Sequence, residues 1–413
     1  MRLHDIAVVG GGAAGAMAAI RAGQSGKDII LIERNRDIGR KILHTGKGRC
    51  NVTNIADIDT FIERFGKQGR FLRSAFFIFC NRDLIHFFEA KGLGMNIERQ
   101  GRVFPSTNKA SSVVRVLKEY LSDNKVEVLY NARLSSLGRR DGFFQLNIKG
   151  CDKIYAKRVV MALGGASYRA TGSSGDGFRI AESLGHTVVP LKPALVPLKI
   201  KEPWVKQLQG LSLENVRISF KYGSKRVTSD IGEFIFTHFG ISGPLVLDLS
   251  GAIVSLMRDH KEIPLFVDLK PGLEPKQIER RLLNEFGAKK TSKIKNVMKG
   301  LLPQKLIPIF IHISGLTPEK EVNQVTREER DAIKNLLKAF PLTATGSLPI
   351  EEAMVTGGGI STKEIDPRTM ESKIVPGLYF AGEMINGCAS SGGYNLQQAF
   401  STGYLAGEKA ANA

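Results

Sequence analysis

Gly10, Gly12 and Gly15 stand at the spacing of a phosphate cradle, and Glu33 stands where such a cradle needs an acid. The glycines follow the apolar run Asp5-Ile6-Ala7-Val8-Val9, which reads as a strand. A small-residue helix follows from Ala16 to Ala22, and a second strand, Asp28-Ile29-Ile30-Leu31-Ile32, ends on Glu33. In such a βαβ unit the first glycine permits a tight turn, the second lets backbone approach a pyrophosphate, and the third lets helix and strand pack closely. Ala13 and Ala14, between the glycines, are further cofactor contacts, and the free N–H groups and dipole of the helix start favour an anion. Glu33 can accept from a ribose diol, and Arg34 beside it is a further cofactor contact. A bare GxGxxG is weak evidence, but one set between two strands and closed by an acid is specific.

Two more clusters carry the same kind of chemistry. Gly39-Arg40-Lys41, followed by Gly48-Arg49-Cys50-Asn51, reads as a loop of glycines, bases and short polar groups against a phosphate or a flavin. Near the C-terminus, Gly377-Leu378-Tyr379-Phe380-Ala381-Gly382-Glu383 delivers a strand to a glycine and an acid. Gly392-Gly393-Tyr394-Asn395 then opens a helix. Val159 to Leu163 is another buried strand, ending on Gly164. Nucleotide-binding devices at both chain ends fit one long cofactor such as FAD better than NAD alone. A second complete strand–GxGxxG–helix unit for nicotinamide is missing, so NADH or NADPH would dock transiently at the flavin face.

The elements that must position these residues come from both ends of the chain. Residues 1–190 and 347–413 are expected to form a doubly wound α/β domain. Residues 191–270 with 320–346 alternate like a β-rich substrate module, and 271–319 read as a helical, lysine-rich subdomain. At 413 residues and 42% hydrophobic content, the chain is large enough for two or three domains with real cores. No window approaches about 18 uninterrupted apolar residues, so no membrane span is expected. The N-terminal apolar stretch runs straight into the glycine turn, unlike a signal peptide. Cys50, Cys80, Cys151 and Cys388 are scattered without a CxxC, which suits a reducing cytoplasm. No metal-ligand spacing is present, so no metal is expected. The net charge of +19 is partly concentrated in Lys289-Lys290-Thr291-Ser292-Lys293-Ile294-Lys295 and Lys299. A solvated helix face is the plainer reading of that run, with nucleic acid as the rival.

The chain resembles the bacterial NAD(P)/FAD-dependent oxidoreductase flavoproteins, among them a 3-dehydro-bile-acid Δ4,6-reductase type and an aminoacetone oxidase type. The resemblance spans nearly the whole length. Besides the glycine-rich segments above, Gly101-Arg102-Val103-Phe104-Pro105, Thr171 to Gly177 and Phe236 to Pro244 carry it. It implies a discontinuous Rossmann-like FAD domain, an inserted β-barrel-like domain and a small helical subdomain. It also implies an aspartate where this chain has Asn386, which keeps an acceptor for the ribityl chain but drops the charge.

A flavin carries the redox step, so the protein need supply binding, orientation and a proton donor. His238, Tyr394 and Cys388 are the candidate donors, and Arg102 is the candidate substrate contact. The expected activity is NAD(P)H-dependent reduction of an activated C=C bond in a small enone- or steroid-like molecule. The alternatives are an oxygen-using amine oxidase and a nucleic-acid-associated flavoprotein. Oligomeric state is not legible.

Overall fold

The computed structural model describes residues 2–140, 142–150 and 152–413, apart from the side chain of Tyr222. Cys151 therefore lies outside the described residues. The described residues divide into two compact units, one within 1–194 and 349–413, the other within 195–348.

In the first unit the strand Leu3–Val9 lies between Ile29–Ile32 and Ile154–Met161, parallel to both, and Glu127–Leu129 adds beyond Ile29–Ile32. The pairing Val9 with Ile32 and with Met161 brings three strand ends level. The free edge of Ile154–Met161 is divided. Its first half takes the antiparallel strand Phe143–Ile148, and its second half takes Leu378–Phe380 in parallel. Thus Gly10, Glu33, Ala162 and Ala381, each next after a strand, all stand at the carboxyl edge of one sheet. In open α/β sheets that edge is where ligands bind.

Fully buried Ile6, Ala7 and Val8 explain why the first strand is a continuous apolar run rather than an alternating one. The helix Ala13–Gly23 is almost wholly buried because the C-terminal helix Tyr394–Asn412 lies on it. Gly403 and Gly407 permit that approach: a Cβ on either would stand 2.2 Å from the carbonyl oxygen of Ala14 or Ala18. Both chain ends thus meet over one sheet, as the discontinuous Rossmann-like reading required.

The second unit is an antiparallel barrel. Strand Ser212–Tyr222 pairs with Gly232–Phe236, and the ladder continues through Gly240–Ser242, Leu198–Ile200 and Phe340–Ser347 to Ile263–Asp268. The last strand returns to the first by pairing Arg217 with Asp268 and Phe220 with Leu265, which closes the ring. The lysine-rich helices do not enclose a core of their own. Ile278, Leu282, Phe310 and Leu337 share one apolar cluster with Phe220, Phe236 and Leu265 of the barrel. Among the described residues no helix is long and apolar enough to cross a membrane.

Candidate active site

A cavity opens at the carboxyl edge of the first unit's sheet. It encloses about 1280 Å³, counting its open mouth. Gly10, Gly12, Ala13 and Ala14 form one wall. Gly10 has φ +104°, and a Cβ on Gly15 would lie 1.8 Å from its carbonyl oxygen, so the turn and helix can meet only with glycine at both positions. Gly12 differs, because a Cβ there would meet nothing within 4 Å. That empty space faces a helix N-terminus with no side-chain cap and no acid in its first turn. Glu33 is 5% exposed. One carboxylate oxygen accepts the Gly11 N–H at 2.7 Å, and the other accepts the Asn35 backbone and side-chain N–H groups at 2.7 and 2.6 Å. A carboxylate has about four acceptor sites, so capacity remains for a ligand hydroxyl.

The second wall joins the two remaining clusters. Lys41 Nζ donates to Glu383 Oε2 at 2.7 Å and to Ser167 Oγ at 2.8 Å. Glu383 Oε1 also accepts from the Thr356 N–H at 2.7 Å and from Ser167 Oγ at 3.0 Å. Burial works to raise the Glu383 pKa. The Lys41 charge and these hydrogen bonds outweigh it and hold the carboxyl below its usual range. Gly39, Arg40, Gly164 and Asn395 complete the predicted residues that line the cavity, along with Arg34.

The HI0933-like protein Rossmann domain family matches residues 4–409. The chain belongs to that family. It is 32% identical over 412 residues to the 3-dehydro-bile acid delta(4,6)-reductase of Clostridium scindens, covering 99% of each chain. It is 29% identical to the ribosomal RNA dihydrouridine synthase of Escherichia coli, covering 98% of this chain and 97% of that one. Among solved structures, 3-ketosteroid delta1-dehydrogenase from Sterolibacterium denitrificans shares the fold over the whole of both chains, with TM-score 0.56 at 13% identity. A flavocytochrome c3 fumarate reductase shares it with TM-score 0.53 at 17% identity, over all of this chain and 78% of the other. Family membership makes the chain an FAD-dependent oxidoreductase.

The cavity of this family member fits FAD on its own geometry. The open space at Gly12, the uncapped helix start behind it and the remaining acceptor capacity of Glu33 suit a pyrophosphate and its ribose. A second uncapped helix start, that of Tyr394–Asn412, likewise has no acid in its first turn and sets Asn395 and Leu396 in the lining.

Other expected site residues stand behind the lining and hold it. Asn51, in its hydrogen-bonding orientation, donates to the Thr53 and Val103 carbonyls and accepts the Gly393 N–H. Gly393 itself is pressed against Thr53, where a Cβ would stand 2.3 Å from the carbonyl oxygen, and the Gly392 carbonyl accepts from Asn54. Gly382 meets Ala14 and donates its N–H to Thr402. Arg49 pairs with Glu98 and Asn108 over the Phe104 ring, and Gly48 precedes it outside the lining. Cys50 is fully buried, and burial pushes its thiol up to about 12, so it packs rather than reacts. The Asn386 N–H donates to the Ile360 carbonyl, and its side chain stands outside the lining.

Of the three candidate proton donors, Tyr394 is packed away, 5% exposed and edge-on to Phe61 at 4.8 Å. Cys388 lies near Glu383 and Lys192, and burial raises its pKa. His238 is exposed in the second unit, in the turn between Gly232–Phe236 and Gly240–Ser242, with its ring against Phe239. Arg102 donates to the Arg99 carbonyl and lies over Phe104, also outside the lining. Several lining residues escaped the sequence reading. Thr171, Ser173 and Ser174 belong to the Thr171–Gly177 stretch that carries the family resemblance, but the sequence reading did not single them out as site residues. Met354 and Val355 carry no such signal.

Proposed function

We propose that this protein saturates a C=C bond conjugated to a carbonyl, with NADH or NADPH as the electron donor. The observation that carries the reading is its full-length similarity to two enzymes named for such a saturation, one in a steroid-like acid and one in uridine. When bound, FAD would supply two-electron transfer from the nicotinamide to the carbon β to the carbonyl, as a hydride. The chain's part is to hold the cofactor with the glycine wall, Glu33 and the Lys41–Glu383 pair, and to place a proton on the α-carbon. Cys388 keeps its proton at neutral pH and is the first donor to test, with His238 the second. A small enone-like molecule is the preferred substrate. A second reading, uridine in ribosomal RNA, is favoured by the net charge of +19 and the Escherichia coli relative.

The test is anaerobic. NADH or NADPH is added to the flavin-loaded protein, and bleaching of the flavin absorbance is followed. Prompt bleaching, then reoxidation by a conjugated dienone steroid, supports the preferred reading. Reoxidation only by unmodified ribosomal RNA, with gain of dihydrouridine by mass spectrometry, selects the second. Flavin that stays oxidised with either nicotinamide, or reoxidises only with oxygen and peroxide release, rejects both.

A further inference from the structure

A second pocket, of about 900 Å³ counting its open mouth, opens where the helix Asp176–Ser183 meets the strand Leu134–Arg140. It shares Arg133, Leu134 and Asp176 with the cofactor cavity, but its other lining residues are its own. Its charge is unbalanced. Asp176, whose side chain is 11% exposed, is the one carboxylate in the lining among the described residues. It accepts from Arg133 Nε at 2.9 Å and Nη2 at 2.5 Å, from Ser174 Oγ at 2.8 Å, from Arg179, and from Arg34 at 3.5 Å. Three guanidiniums thus surround one negative charge. Lys149, exposed in the same lining, adds an ammonium with no partner among the described residues.

A carboxylate has about four acceptor sites, and Asp176 is met by five donors, so its cationic partners exceed what it can satisfy. With five N–H donors on each guanidinium, Arg133 and Arg179 keep most of theirs free. Asp176 fixes where those donors stand, which lowers the entropy lost when an anion arrives. Ser136 Oγ accepts from Asn147, which leaves its own O–H to donate. Forked donors, a lysine and a hydroxyl around a cation excess make a pattern that suits tetrahedral oxyanions.

We propose that this pocket is a phosphate-binding site, with Arg133, Arg179 and Lys149 as its ligands and Asp176 as their positioning residue. The phosphate comes either on a free nucleotide or in the backbone of a nucleic-acid strand. Arg133 and Asp176 also line the cofactor cavity, but the proposal needs no redox step and is tested without one.

The experiment titrates the flavin-loaded protein with inorganic pyrophosphate by calorimetry and with a labelled single-stranded RNA 12-mer by anisotropy. The variants are K149A/R179A and, as a control of equal charge, K290A/K299A in the exposed lysine run. All must keep flavin absorbance, since neither pair lines the cofactor cavity. K149A/R179A should weaken binding by about tenfold or more, and the control should not. Loss of pyrophosphate binding alone identifies a free phosphate as the ligand. Loss of RNA binding, with a salt slope shallower by about 1.4, identifies the strand. The proposal is overturned if the native protein binds neither probe, if K149A/R179A binds both as tightly, or if the control weakens binding equally.

Discussion

Lys41 and Glu383, 342 residues apart in the chain, meet at 2.7 Å in the wall of the cofactor cavity. Their side chains are 24% and 19% exposed, so each is costly to leave charged without the other. Ser167 and the Thr356 backbone complete the set, tying four separate segments to one ion pair. The pair fixes two segments of the cavity wall to each other.

Lys41→Met should therefore strand a buried carboxylate. At neutral pH the apo variant should lose about 1–3 kcal/mol, below the full cost of breaking a deeply buried pair because some solvent reaches this one. In the native protein Glu383 is held low, so its contribution is present above its unfolded pKa and is lost as pH falls through the folded one. Without Lys41, burial is opposed only by the Thr356 and Ser167 hydrogen bonds, so the pKa rises from its native position. Protonation on acidification then relieves the variant. Urea melts from pH 7 to pH 4 should show the gap to the native protein narrowing; a constant gap would mean the carboxylate is not the cause.

Gly12 and Gly15 should separate folding from cofactor binding. Gly12→Ala places a methyl in open space at an extended backbone. The apo protein should keep its stability within about 0.5 kcal/mol yet bind FAD far more weakly, as read from flavin absorbance after dialysis. Gly15→Ala drives a methyl into the Gly10 carbonyl and should lose both stability and flavin. If Gly12→Ala retains FAD with native affinity, the pyrophosphate does not approach at that glycine.

The βαβ cradle was legible because its signals are local: glycine spacing, two apolar runs and an acid within thirty-odd residues. The outcome at Glu33 follows from that spacing. The contact of Lys41 with Glu383 was not legible, since both residues were expected near the cofactor and nothing local says that they pair. Tyr394 illustrates a different limit. An aromatic at a glycine-rich helix start reads equally as a cofactor contact or as core, and only the Phe61 and Phe76 rings decide it. In the lysine run, Lys293 and Lys295 both pair with Glu319, a partner too distant in sequence for a charge count to find. Alternation suggested a β module, but closure of the barrel depends on the long-range pairing of 217–220 with 265–268.

Glu33→Gln tests how much of the cradle is built before the cofactor binds. The carboxylate accepts three N–H donors. A glutamine must turn its own NH₂ toward at least one of them. That leaves a buried donor unmet, at about 1–3 kcal/mol. Apo stability should fall by that amount in thermal or urea unfolding, along with FAD affinity. A drop in affinity alone would mean that the turn holds without Glu33.

His186 makes a prediction for acid stability away from the site. It is 3% exposed, with Nε2 at 2.7 Å from Ser372 Oγ, Nδ1 facing the Ala181 carbonyl, and Glu364 as the nearby charge. Burial, only partly opposed by the Ala181 hydrogen bond and Glu364, lowers its pKa from the ordinary 6.5. The unfolded chain therefore takes up a proton that the folded chain refuses. By linkage, stability rises with pH across the window between the folded and unfolded values, and falls as the solution is acidified below about 6.5. His186→Gln keeps a polar group for Ser372 but removes the titration. Between pH 7 and pH 5, unfolding free energy should fall less steeply in the variant than in the native protein; identical slopes would assign the acid sensitivity to the carboxylates instead.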